Sequence, residues 1–403
     1  MERGGGLRSL RDANQRRVIE ALGQHGVASR ADIARATGLS RTTVSSLVGD
    51  LKGAGLLVER PADGDGHDQS VGRPPVLLSF DRSAGAVVGI DFGHSHIGVV
   101  VGDLSHTVLA ELWRDVDVDS SASHGLDIAT ELVESALEEA GVERERVLGV
   151  GMGIPGPITS GNGTVGSTSI LPGWVGVDAA SAMRERLGMV VRVENDANLG
   201  ALAELVWGAG RGAQDFIFVS VRSGIGGALV IDGRLYRGSG GTAGELGHTL
   251  FRENGEVCRC GNRGCLETVA GTAAVAGAFN AVRGEEVEVH ELIERAHAGD
   301  SLAQRVIAEA GRSIGVAVGN LCNVFNPERV IIGGDLSAAG DVLLAPITES
   351  ISRYAIPSAA AEVDVVTGQL GRRAEVMGAL ALILHEPEHA LFSRVVEAAG
   401  ARS

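Results

Sequence analysis

The 403-residue chain has no run of about 18 apolar residues, so no segment reads as a helix spanning a bilayer. No signal peptide opens it, which argues against export. Lysine is nearly missing: Lys52 stands alone among arginines, a bias read as codon usage rather than function. Cysteine is scarce as well, four residues in all, and three of them fall within eight positions. Clustered thiols of this kind read as metal ligands in a reducing compartment, and the expected location is the cytoplasm. Overall positive charge is also lacking, the formal net being −16. Glycine, by contrast, is abundant at 59 residues and implies many tight turns and close backbone approaches. The length predicts two or three domains with ample material for a core.

The cysteine cluster is the most specific signal. Cys258, Cys260 and Cys265 lie in CRCGNRGCLE, and His248 sits ten residues upstream in GELGH. Three thiolates and one imidazole complete the closed tetrahedron of a structural Zn²⁺ site, with bonds of roughly 2.0–2.3 Å. Buried free thiols or a disulfide are the alternatives. A Cys-x-Cys pair is poorly placed to bridge itself, however, and a third cysteine is left over. Glu245 and Glu267 are tied to the same scaffold. A metal that stiffens a loop carrying carboxylates points to a polar ligand held by hydrogen bonds.

The acidic total hides an asymmetry. Residues 1–60 carry ten Arg or Lys against six Asp or Glu, a net of +4, while the remainder nets −20. A basic head on an acidic body points to nucleic acid at one end only. Three helices are expected over residues 9–54. The first places Leu10, Val18, Ile19 and Leu22 on one side. The second begins at Ser29, a good N-cap with Asp32 three residues on as in a capping box, and ends near Gly38. The third starts at Ser40 and sets Val44, Leu47, Val48 and Leu51 in one stripe at i, i+3, i+4 and i+7. Its other face offers Arg41, Thr42, Ser45, Ser46 and Gly49. With Thr43 these short polar side chains and one arginine suit base edges in a major groove. GLLVER and VGRPPVLLSF then read as two strands around a polar tip, PADGDGHDQS, forming a wing whose Arg73 can reach a minor groove or a phosphate. A small protein-interaction module is the alternative reading.

The rest of the chain repeats itself. Residues 86–111 and 215–238 each read strand, glycine turn, strand, Asp-containing turn, strand, about 130 residues apart. Two such units facing each other form an actin-like, ribonuclease-H-like α/β body with a cleft between lobes. Glycine turns there can cradle phosphates with backbone N–H groups, or can simply be hairpin turns. The strand ending in Gly333-Gly334 is ambiguous in the same way, a phosphate or adenosine contact or a plain strand-to-helix connection. In VVRVENDANLGALAE, Asn195 and Asp196 follow an apolar strand and precede a helix. An Asp there can accept the proton of a sugar hydroxyl, or merely cap the helix.

VGMGIPGPI, VENDAN, SGIGGALVIDG, GTAGELGH and CRCGNRGCLE, in that order, resemble the ROK family of repressors, uncharacterised frames and sugar kinases. The likeness runs over roughly residues 84–385, and the added winged helix resembles the family's regulators. It implies a winged helix-turn-helix domain over 1–82, a first lobe over 83–197 and a second lobe with the zinc site over 198–381. A C-terminal helix, 382–403, is expected to pack back on the first lobe. The family pattern further implies that Asn195, Asp196, Glu245, His248 and Glu267 bind sugar, with Asp196 matching the kinases' catalytic base. His248, Cys258, Cys260 and Cys265 match its zinc ligands. One His248 nitrogen would bind metal while the other faces sugar, so the ion fixes the orientation of a recognition residue.

The chain departs from the kinases on the nucleotide side. Where they carry a motif close to DxGGTK, it has Asp91-Phe92-Gly93-His94-Ser95-His96. Where they carry LGTGIGG, it has Arg222 in place of a glycine, and a side chain there obstructs close approach of phosphate. A family asparagine before Pro-Gly-Trp is replaced near Ser169 and Ile170. Sugar recognition without a phosphoryl donor describes a sensor. The expected protein is a sugar-responsive transcriptional repressor that binds operator DNA as a homo-dimer or homo-tetramer, with structural Zn²⁺ and without ATP. A hexose kinase with Asp196 as base, or a bifunctional kinase-regulator, is the competing reading.

Overall fold

A computed structural model describes residues 11–61, 76–158 and 171–385, apart from 12, 16, 20, 24, 25, 82 and 83. Among them no helix is long and apolar enough to cross a membrane.

The head forms as its caps and stripes dictate. Ser29 Oγ accepts from Asp32 N at 3.2 Å while Ser29 N donates to Asp32 Oδ2 at 3.1 Å, closing a capping box that starts the helix Arg30–Thr37. Gly38, at φ 67°, ends it in the left-handed region that favours glycine. Ser40 caps the next helix, Arg41–Gly53, by accepting from Thr43 N at 3.1 Å. Val44, Leu47, Val48 and Leu51 of that helix are buried against Val18, Ile19, Leu22 and Ile33. A three-stranded sheet completes the unit, with β1 (Val27–Ser29), β2 (Leu57–Pro61) and β3 (Val76–Phe80) in the order β1-β3-β2. The β2–β3 pairing from Leu57↔Phe80 to Pro61↔Val76 is the expected wing. Its tip, including Arg73, lies outside the described residues, and β1 is an addition to the sequence reading.

The body holds two five-stranded sheets of one topology. The first comprises β4 (Ala86–Phe92), β5 (His96–Asp103), β6 (Val108–Asp115), β7 (Val147–Ile154) and β8 (Val191–Asn195), ordered β6-β5-β4-β7-β8. The second comprises β9 (Phe216–Val221), β10 (Ile225–Ile231), β11 (Arg234–Tyr236), β12 (Arg329–Gly333) and β13 (Asp364–Thr367), ordered β11-β10-β9-β12-β13. In each, the first strand pairs antiparallel with its hairpin partner and parallel with the fourth. β4 and β9 are buried along their whole length, as central strands covered on both faces must be. The duplication read from residues 86–111 and 215–238 is therefore a duplicated sheet.

Two helices fill the space between the sheets. Asp196–Trp207 lies on the second sheet and Ala374–His385 on the first, and the two pack on each other. Glycine makes the approach possible. A Cβ at Gly378 would sit 1.9 Å from the Leu199 carbonyl oxygen, at Gly151 2.0 Å from that of Ala379, and at Gly89 2.5 Å from that of Val376. Residues 374–381, grouped with the second lobe by sequence order, thus cover the first sheet, because the apolar face of this helix matches the glycines of β4 and β7. Residues 386–403 lie outside the described part.

The head does not hang free. Leu104 at the β5–β6 turn is buried in the head's apolar core, with Leu148 of β7 and Leu384 of the last helix packed against it.

Candidate functional site

The ends of β4 and β9 face each other across a cavity of about 400 Å³ between the lobes. Duplicated topology explains the placement: each lobe turns its first hairpin towards the same cleft.

Asn195, Asp196, Glu245, His248 and Glu267 all line this cavity. They arrive from separate elements. Asn195 ends β8 and caps the following helix, its Oδ1 accepting from Asn198 N at 3.1 Å and its Nδ2 donating to Gly156 O at 3.0 Å. Much of its hydrogen-bonding capacity is thereby spent on local structure, so the cap falls to Asn195 rather than to Asp196. Asp196 is the first helical residue; burial, reinforced by Asp91, pushes its carboxyl above the usual range. Burial also pushes Glu245 up to about 7, with Asp196 and Glu267 adding to the effect. Glu267 Oε2 accepts from Ile225 N at 3.3 Å, and Oε1 lies 3.2 Å from Arg259 Nε.

Below the acids sits the sulfur cluster. His248, Cys258, Cys260 and Cys265 place one ligand atom each within 4.8 Å of the others and can hold a metal ion. Cys260 Sγ and Cys265 Sγ are 3.7 Å apart, and Cys258 Sγ is 3.5 Å from His248 Nδ1. Those separations fit the edges of a tetrahedron around an ion with bonds of about 2.0–2.3 Å. The other ring nitrogen, Nε2, lies 3.9 Å from Glu245 Oε2 on the cavity side. The imidazole therefore spans the cluster and the cleft.

Several turn glycines pack closely against the rest of the protein. A Cβ at Gly224 would lie 2.2 Å from Glu267 Oε2, at Gly226 2.8 Å from Ala197 Cβ, and at Gly227 2.6 Å from the Gly244 carbonyl oxygen. At Gly333 it would strike the Phe218 ring at 2.7 Å and at Gly334 Val221 backbone at 2.5 Å. Each glycine makes room for protein. In the first turn, His96 Nε2 lies 3.1 Å from Asp91 Oδ2 and His94 Nδ1 2.7 Å from Asp119 Oδ1.

Sequence reasoning missed the ion pair on the cavity floor. Arg222 Nη2 lies 2.6 Å from Glu375 Oε2, both buried, joining the β9–β10 turn to the start of the last helix. Burial opposes the Arg222 charge, but Glu375, Asp91 and Asp335 outweigh it and hold the guanidinium above its ordinary value. Burial pushes Glu375 up to about 8, Arg222 opposing and Asp91 and Asp196 adding. A second link between the lobes was missed in the same way: Arg237 Nε bonds Glu194 Oε2 at 2.5 Å. Partners 153 and 43 positions apart leave no local pattern.

On the head, Arg41, Thr42, Ser45, Ser46 and Gly49 are exposed on one helix face, and no carboxylate pairs with Arg41 among the described residues. Thr43 differs: it is half-buried, and its hydroxyl lies 2.8 Å from Ser40 Oγ within the helix cap.

A winged-helix head on a two-lobed body with a carboxylate-lined cleft defines a class, DNA-binding regulators with a small-molecule site in the body. The chain belongs to the ROK family, whose model matches residues 87–386, and residues 11–66 match the MarR family. It is 30% identical over 399 residues to a xylose repressor of Caldicellulosiruptor bescii, covering 94% of this chain and 98% of the relative. A glucokinase of Thermotoga maritima is 32% identical over 311 residues, covering 74% of this chain and 96% of the enzyme. A solved ROK family transcriptional regulator, described as a homolog of the Escherichia coli MLC protein, superposes with a TM-score of 0.80 at 26% identity, covering 96% of this chain and 99% of its own.

Proposed function

We propose that this chain is a sugar-responsive transcriptional repressor of carbohydrate uptake or catabolism genes, acting in the cytoplasm as a homo-dimer or homo-tetramer. Sugar enters the cleft and is held by Asp196, Glu245, His248 and Glu267, with Asn195 contributing its remaining N–H. Zn²⁺ bound by His248, Cys258, Cys260 and Cys265 fixes the loop that carries Glu267. Arg41, Thr42, Ser45 and Ser46, with Arg73 on the wing, contact operator half-sites; Thr43 supports the cap. Sugar shifts the population of lobe arrangements, and the arrangement it favours holds the heads at a spacing that no longer fits both half-sites.

One observation carries the reading: Leu104, Leu148 and Leu384 of the body close the core of the head. A change in the body's lobes has a packed route to the DNA-binding face. Genomic DNA capture with the purified protein tests it. Palindromic sites beside sugar-uptake or glycoside-degradation genes, released by one sugar of a panel, are expected; capture that every sugar leaves unchanged rejects it. Arg41→Ala should weaken binding to the captured site by about 1–3 kcal/mol if the guanidinium reads a base, measured by fluorescence anisotropy at fixed salt.

The kinase alternative keeps one supporting observation, the buried Asp196 on the cavity wall, placed as a base would be. Against it stands the Arg222 side chain on the cavity floor. Sugar-dependent ADP formation abolished by Asp196→Asn would decide for the kinase; no turnover with any sugar is the expected result.

A further inference from the structure

The two walls of the cleft come from different sheets. Asn195 ends β8 of the first sheet with Asp196 directly after it, while Glu245 and His248 lie beyond β11 of the second. Asp196, Glu245 and Glu267 all line the cavity, and both of the others stand close enough to act on the Glu245 carboxyl. Like charges in such partly dry surroundings repel, so attraction elsewhere has to offset them if both walls are to reach one ligand.

Glu194 and Arg237 supply such an attraction without touching the cavity. Neither side chain lines it. The Glu194 side chain, 8% exposed, gives one carboxylate oxygen to its own wall: Oε1 accepts from Asn195 N and from Asn198 Nδ2, each at 2.9 Å. The other oxygen crosses the lobes, Oε2 accepting from Arg237 Nε at 2.5 Å. Arg237 in turn opens the loop that carries Glu245. Its carbonyl accepts from Ala243 N at 3.1 Å and closes the loop's turn. The following Gly244 is pinned to β10, where an added Cβ would stand 2.3 Å from the Gly227 carbonyl oxygen. One carboxylate, one guanidinium and a braced loop therefore join Asn195 to Glu245.

We propose that Glu194 and Arg237 are positioning residues, a tie that sets the two walls of the cleft against each other without touching the ligand. Their effect on affinity rests on the sugar-binding reading above; the tie itself does not. Removing the guanidinium leaves a buried carboxylate short of its cation, and water admitted between the walls takes its place as they part.

The test compares Arg237→Met, Glu194→Gln and the double variant with the parent, all full-length and metal-loaded, by hydrogen exchange and titration calorimetry. Glutamine at 194 keeps an oxygen for Asn195 N and Asn198 Nδ2 and loses the charge that faces Arg237. Amide exchange at 195–198 and at 243–248 should rise about tenfold in each single variant, with the core helix Ser301–Phe325 unchanged. The double variant should exchange no faster than the singles, because partners in one pair do not add. D-xylose and D-glucose are the probes, and whichever the parent binds should bind about tenfold more weakly to each variant. Faster exchange on one wall only, a rise that extends through Ser301–Phe325, effects that add in the double variant, or undiminished sugar affinity each overturn the proposal. A parent that binds neither sugar counts against the sugar reading for those two compounds, and exchange alone then decides for or against the tie. Should Arg237→Met not fold, Glu194→Gln carries the comparison.

Discussion

A Cys258→Ser chain is expected to purify without stoichiometric zinc and to bind sugar at least about 100-fold more weakly than the parent. On the proposed reading, the cluster positions two sugar-binding groups at once. His248 places Nδ1 3.5 Å from Cys258 Sγ while its Nε2 faces Glu245, and Glu267 follows Cys265 by two residues. Zinc contributes folding energy outright at such sites, so its loss disorders both groups. Hydrogen bonds to charged groups are worth about 1.5–3 kcal/mol each, and losing two of them accounts for the fall. Cys322→Ala is the control, because this buried cysteine belongs to the second lobe's apolar core rather than to the cluster. It should keep one zinc per chain. Metal analysis and titration of both variants check the claim; a zinc-free Cys258→Ser protein with normal sugar affinity rejects the role given to the metal.

Gly151→Val should destabilise the protein by about 3 kcal/mol or more, as overpacking against unyielding backbone does. Even a single Cβ there would stand 2.0 Å from the Ala379 carbonyl oxygen, and Gly89 beside it is equally closed at 2.5 Å from Val376. The helix Ala374–His385 would have to lift off its sheet. Its C-terminal end reaches the head, so DNA binding should weaken together with stability. A matched glycine predicts the opposite sign: Gly277 lies within the helix Thr272–Arg283 with nothing within 4 Å of an added Cβ. Gly277→Ala should stabilise by about 0.5–1 kcal/mol. Urea unfolding of the two variants checks both; a Gly151→Val protein as stable as the parent refutes the packing account.

The features legible in the sequence were those written over short distances. The Ser29–Asp32 box, the Val44–Leu51 stripe, the paired wing strands and the repeated hairpins all follow from periods and caps spanning a few residues. The four residues of the His/Cys cluster were legible because CRCGNRGCLE and GELGH bring rare residue types close together. The three-residue strand β1 carried no alternation to betray it. The glycine turns are ambiguous as written, since a glycine that admits a phosphate and one that admits a neighbouring Ala197 or Phe218 look identical in a string of letters. Arg222 was visible as an intruder in its turn, yet its partner Glu375, on the far side of the chain, was not. The sequence reading started a returning helix at residue 382, whereas the helix on the first sheet begins at Ala374.

That helix spans about 18 Å, twelve residues at 1.5 Å each. Glu375 near one end meets Arg222 in the cleft, and Leu384 near the other packs into the head. Exchanging residues 1–82 alone between chains of this kind would therefore set a foreign core on Leu104, Leu148 and Leu384. A working chimaera has to carry those three side chains with its head: the unit of inheritance is the head together with the surface on which it stands.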